Sequence, residues 1–280
     1  MDLVTITDHD AIDGCLDLLN RMGDLPDFIM GEEVSAYLPR FQHHIHIGVY
    51  GHSEAQHREI QSLRANGEDL VAYLRQQDLL FVLNHFFHDF AGAQQLRPFV
   101  ETMQRLLTVY ETRNGSQERA HNRLNERLVE QSRREAQSRI PLGVVGGSDA
   151  HTLRRIGRTY TASPARNREE FLQDIRAGRN QVFGAHSTQR SLAADIYGVV
   201  LRYYPHVFAL QNGEFNPVLR LQNITLSLLA VPFLIAPYVA AVRHSRIEHR
   251  RVQAYARSLL EVQTSSPARS DPRAPSPLAP

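Results

Sequence analysis

Leu142-Gly143-Val144-Val145-Gly146-Gly147-Ser148-Asp149-Ala150-His151 is the stretch on which the fold reading turns. A short apolar run of this kind reads as a buried strand. The two glycines after it let the backbone turn tightly. Polar chemistry begins where the strand stops. Asp149 and His151, two residues apart, point the same way in an extended segment. That spacing suits an oxygen and a nitrogen ligand at neighbouring metals.

Working outward, the same grammar repeats. Leu3 to Thr7 reads as a strand ended by Asp8-His9-Asp10, and Asp27 to Met30 as a short apolar run followed by Gly31-Glu32-Glu33-Val34-Ser35. His43 to Tyr50 alternates like a strand, Leu79 to Leu83 ends at Asn84-His85, and Thr108 to Thr112 ends near Asn114-Gly115. Helical patterns fill the intervals: Ala11 to Met22, Glu54 to Arg64, Asp69 to Gln77, Leu96 to Leu107 and Gln117 to Arg139. Asn167, with Glu170 three residues on, opens a further helix. Strands alternating with helices predict an α/β fold with a mainly parallel sheet. Polar clusters at so many strand ends favour a β/α barrel, whose C-terminal strand ends form one mouth.

Composition narrows the chemistry. All 31 basic residues among the 280 are Arg, which excludes a P-loop lysine and Schiff-base catalysis. The formal net charge of +1 gives no signal for nucleic acid. The lone Cys15 excludes an internal disulfide and fits a reducing, cytoplasmic compartment. The 14 His are numerous, and several stand beside carboxylates.

Taken one at a time the candidate residues are modest signals. Asp8-His9-Asp10 also fits a capped turn. Glu33 after a strand could bridge two cations, and also fits a solvated loop. Alternation puts His44 and His46 on one strand face. His85 stands at the expected barrel mouth, whereas His88 reads as a surface residue. Arg113, Arg154, Arg155 and Arg158 could clamp a phosphate.

Together, Thr7-Asp8-His9, Gly31-Glu32-Glu33-Val34-Ser35, His46 to Gly51, Asn84-His85 and Ser148-Asp149-Ala150-His151 occur in the order and context of motifs of the PHP (polymerase and histidinol phosphatase) family, which the chain resembles over residues 1 to roughly 187. The resemblance implies a distorted β/α barrel whose strand ends hold two or three divalent ions, with zinc, manganese or iron suited to mixed His and carboxylate ligands. By position, Glu33 would be the bridging carboxylate, completing one site with His46 and His85. Asp149 would belong to the site sharing Glu33, and His9 and His151 to a third. The family's opening His-x-His strand has no counterpart, so the first strand reads as absent, and a start upstream of Met1 is the expectation. The implied activity is hydrolysis of a phosphate ester by a metal-activated water. Asp149, His151 and His9 would be catalytic, with Arg113 and Arg158 on the substrate, which would be a phosphomonoester, a nucleotide or a short oligonucleotide. The alternative is a metal-poor, catalytically impaired binding or scaffold module.

Residues 188–263 read as a helical extension and 264–280 as a Pro/Ser-rich disordered tail. Within the extension, 224–242 carries no charge and is followed by Arg243, Arg246, Arg250 and Arg251. Its length is that of a membrane span, about 20 residues. Pro232 and Pro237 interrupt it. Membrane association, or packing of this run against Leu192 to Tyr204, are the two expectations.

Overall fold

A computed structural model describes residues 2–88, 90, 92–135, 141–207, 217–230 and 235–261. In chain order the elements of the first half are β1 (Val4–Ile6), α1 (Asp13–Met22), β2 (Phe28–Leu38), β3 (His43–Tyr50), α2 (Glu54–Leu63), α3 (Gly67–Gln76), β4 (Leu80–Leu83), α4 (Leu96–Leu106) and β5 (Val109–Asn114). The second half holds α5 (Arg119–Glu135), β6 (Gly143–Gly147), β7 (Thr159–Ala162), α6 (Arg168–Arg176), β8 (Gln181–Gly184), α7 (Gln189–Val207), α8 (Pro217–Ala230) and α9 (Ala236–Ala256).

The fold is α/β. Six strands form one sheet in sequence order, β1 to β6, and β7 pairs with β8 beside it. The pairings β1–β2, β4–β5 and β5–β6 are parallel, as expected, but β2–β3 and β3–β4 are antiparallel. For β2–β3 the reason lies in the connection. Only Pro39–Phe41 and Gln42, at φ 49°, separate β2 from β3, too short for a parallel crossover. The sheet curves as a half-barrel.

The helices begin where the sequence offers caps. Ser53 and Gln56 form a reciprocal capping box on α2, and the Asn66 and Asn167 side chains cap α3 and α6. The main core lies between the sheet and α2–α5. Ile47, Ile60, Leu70, Leu74 and Met103 are fully buried there, and Phe90 stacks on Phe99 at 4.1 Å. Burying each such side chain stabilises the fold by roughly 1.5–3 kcal/mol.

The C-terminal helices are tied to this core. Val252 and Tyr255 of α9 and the following Leu259 belong to the main cluster, and Tyr255 Oη donates to the Phe90 carbonyl. The apolar run 224–242 is divided between α8 and α9, and Pro232 and residues 264–280 lie outside the described residues. No helix of the described residues is long and apolar enough to cross a membrane.

Candidate metal centre

The centre is built around Glu33. The sequence pattern predicts it in a loop after a strand ending at Met30, but β2 continues to Leu38, and Glu33 stands mid-strand opposite Gly48. Two adjacent glutamates disguise a strand that has both faces covered, since Glu32 and Glu33 are both buried. Antiparallel partners share a face, so Glu33 and Ser35 lie on the side that carries His46, the partner of Ser35. Gly48 makes room on that side. A Cβ there would come within 3.1 Å of Asn84 Oδ1.

Three strands deliver donors to the carboxylate. Asn84 Nδ2 donates to Glu33 Oε1 at 2.9 Å, and His85 Nε2 lies 2.9 Å from the same oxygen. His46 Nδ1 is 3.4 Å from Oε1 and 3.2 Å from His85 Nε2. On the other oxygen, His9 Nε2 lies 3.6 Å from Oε2. His9 is held there by the chain entering beside β2, where Asp10 N–H donates to Glu33 O and Glu33 N–H to Asp8 O. One oxygen and two imidazole nitrogens with edges of 2.9–3.4 Å match donors spaced around a cation at about 2.0–2.2 Å. The residues therefore fit a metal ion.

Electrostatics point the same way. Burial pushes the Glu33 carboxyl up, yet hydrogen bonds from His46 and His85 override it and hold the group well below the usual carboxylate range. Burial pulls His85 down, but its hydrogen bond to Glu33 and the charges of Glu33, Glu111 and Asp149 raise it to about 9. Behind His85 lies Glu111, fully buried on β5. It accepts from the His85 N–H at 2.8 Å and from Asn114 Nδ2 at 3.0 Å. Burial pushes Glu111 up to about 7 despite His85 and Asn114. His85 and Asp149 both hold positive φ, 24° and 46°. Such backbone is sparsely populated by residues other than glycine and persists where surrounding contacts enforce it.

His9, Glu33, His46 and His85 thus come together. Asp149 acts on this group through its charge, felt at both His85 and Glu111. Its loop is fastened by Ser116 Oγ, which donates to the Asp149 carbonyl at 2.7 Å. His151 is exposed, with Nδ1 3.7 Å from Asp149 Oδ1. Arg113 is engaged by Glu126 at 2.6 Å, and Arg158 is exposed. Arg155 is a buried strut, pairing with Asp195 and donating to the Gly115 carbonyl, and so is not free to bind phosphate.

A cleft of about 300 Å³ opens beside the centre, lined by His44, His46, Asn84, His85 and His88 among others. His88, read from sequence as a surface residue, lies 4.8 Å ring to ring from His85 and 6.0 Å from His46. Its three-residue spacing from His85 is the signal for it. A second cluster, Glu32 with His52 and His57, gives no motif in the sequence and lies on the opposite face of β2.

Residues 130–180 match the family model described as PHP-associated. The stretch includes β6 and Ser148-Asp149-Ala150-His151, and it bears out the PHP resemblance. A comparison with curated proteins finds no match. A solved structure, the lesion-specific endonuclease PfuEndoQ from Pyrococcus furiosus, is similar with a TM-score of 0.43 and 15% identity over 65% of this chain. The similar region spans 49% of that endonuclease, about half its length.

Proposed function

We propose that the chain is a metal-dependent phosphoesterase that hydrolyses a phosphomonoester, a nucleotide or a short oligonucleotide. The observation that carries this reading is a single buried carboxylate, Glu33, facing His46 and His85 through one oxygen and His9 through the other. A carboxylate presented in this way is suited to bridging two ions, with Asp149 and His151 completing the shell from the β6 side. Zinc, manganese or iron fits the donor set. Ions bound there would supply Lewis acidity toward a phosphoryl oxygen and lower the pKa of water toward about 7.

The protein's own groups do the rest. Asn84 fixes the Glu33 carboxylate by its 2.9 Å hydrogen bond. Glu111 fixes the backbone of His85, accepting from its N–H at 2.8 Å. The adjoining cleft admits a substrate of small size. Arg154 and Arg158 are the exposed cations of the four candidates, since Arg113 and Arg155 are already paired.

The test is hydrolysis of p-nitrophenyl phosphate and of its bis ester with manganese or zinc, with and without a chelator. Chelator-sensitive turnover that is lost in both Glu33→Gln and His85→Ala is the expected result. Turnover that survives either substitution would overturn the reading.

We also propose that α8 and α9 rest against a membrane surface. Leu221 and Leu228 on α8, Ile235 just before α9 and Val239 on α9 are exposed, and Arg243, Arg246 and Arg250 follow on α9. Flotation with anionic vesicles tests it: α9 arginine-to-glutamine variants should float less, and a chain that never floats removes the idea.

A further inference from the structure

We propose a second, structural zinc site on the opposite face of β2, formed by Glu32, His52 and His57. Three elements supply it. Glu32 lies next to Glu33 in the strand and so points to the other side. His52 follows the turn at Gly51, whose φ of 76° swings the chain back under the sheet. His57 lies in α2, one residue past the capping-box Gln56.

The donors converge on the carboxylate. His52 Nε2 lies 3.0 Å from Glu32 Oε1, and His57 Nδ1 lies 2.9 Å from Glu32 Oε2. The Glu32 and His52 side chains are wholly buried, and His57 is 17% exposed, which leaves an entry path. The His52 contact is the telling one. It is short, yet neither His52 Nε2 nor Glu32 Oε1 has a hydrogen-bond partner among the described residues, so the two atoms are misaligned for a bond to each other. His52 Nδ1 is likewise without one. Buried polar atoms are almost always satisfied. A nitrogen and an oxygen that approach closely without bonding are placed as two ligands of one ion, and tetrahedral zinc sets its donors about 3.3 Å apart.

Two imidazoles and a carboxylate are a zinc donor set. Gln61 offers a fourth. Its amide lies 2.9 Å from Glu32 Oε2, and the alternative amide orientation presents the carbonyl oxygen there. An ion so held would pin α2 to the back of the strand whose other face carries Glu33.

Metal content separates the two sites. The full chain is equilibrated with zinc, desalted and assayed, and titrated in parallel with cobalt(II) for visible absorption. A Glu33→Gln/His85→Ala chain should keep one equivalent of zinc and an intense four-coordinate cobalt band. Adding His57→Ala should remove both. No retained equivalent in a Glu33→Gln/His85→Ala chain that is folded by circular dichroism overturns the proposal, as does an equivalent that survives His57→Ala. Should that double variant fail to fold, His57→Ala alone decides. Its histidine is partly exposed and replaceable, and an unchanged zinc count relative to the native chain overturns the site.

Discussion

The two faces of β2 carry nearly the same chemistry and differ in what surrounds it. On one, Glu33 gathers His46, His85 and His9, with His46 21% and His9 52% exposed at the side chain. On the other, Glu32 gathers His52 and His57, with the first two side chains at 0%. The open cluster borders a cleft and can meet a substrate. The closed one has Glu32 and His52 wholly buried, which suits an ion rather than a substrate. Under the proposed function and the proposed zinc site, adjacent residues of one strand divide into a site for chemistry and a site for stability, because strand alternation sends their side chains to opposite sides.

The largest expected effect tests that division in turnover. Glu33→Gln should lower kcat roughly a thousandfold, since it removes the carboxylate shared by both halves of the centre. Glu32→Gln should lower it by less than about tenfold, through disturbance of β2 alone. Steady-state kinetics with saturating metal reads both, and equal losses in two folded variants would break the comparison.

Stability should show the reverse order. His52→Ala empties a wholly buried site beside the Glu32 carboxylate, which keeps His57 and Gln61 at 2.9 Å, and should cost about 2–5 kcal/mol. His46→Ala removes a group that borders the cleft, where water can replace it, and should cost about 1–2 kcal/mol. Urea unfolding of the two variants gives the difference, and a smaller loss for His52→Ala would sink the assignment of the closed face to stability.

How much of this was legible follows from the same geometry. Glu33, His46, His85 and Asp149 stand in motifs whose order along the chain is visible in sequence, and all four lie at or in electrostatic reach of one centre. The extent of β2 was hidden, because a Glu-Glu pair reads as a loop until both faces are known to be covered. The closed cluster was hidden for a different reason. Its partners are brought together by the β2–β3 register and by the Gly51 turn, neither of which local periodicity reveals. The strands β7 and β8 were missed because Thr159–Ala162 and Gln181–Gly184 are short and half-exposed, without an apolar run.

A pH profile sharpens the open face. The Glu111 carboxyl, ordinarily near 4.5, is raised to about 7 by burial. The folded chain therefore binds this proton more tightly than the unfolded chain. The stability Glu111 contributes is complete below about 4.5 and is lost as pH rises through about 7. In a chelated sample, Glu111→Gln should flatten this decline between those limits. An unchanged slope in thermal unfolding across that range would show that Glu111 titrates elsewhere.

The smallest effect reaches the closed face through a helix cap. Ser53 lies between His52 and α2, and its Oγ accepts from the Gln56 N–H at 3.3 Å, while Gln56 Oε1 accepts from the Ser53 N–H at 2.9 Å. Ser53→Ala removes the hydroxyl half of this box and should cost about 1 kcal/mol. The first turn that frays is the one that positions His57, the next residue after Gln56. Zinc affinity at the Glu32 cluster should therefore fall severalfold, while the Glu33 cluster, which takes no donor from α2, keeps its affinity. Competition with a chromophoric chelator resolves the equivalent at Glu32 from those at Glu33. If both weaken together, the faces of β2 are coupled and do not act as separate sites.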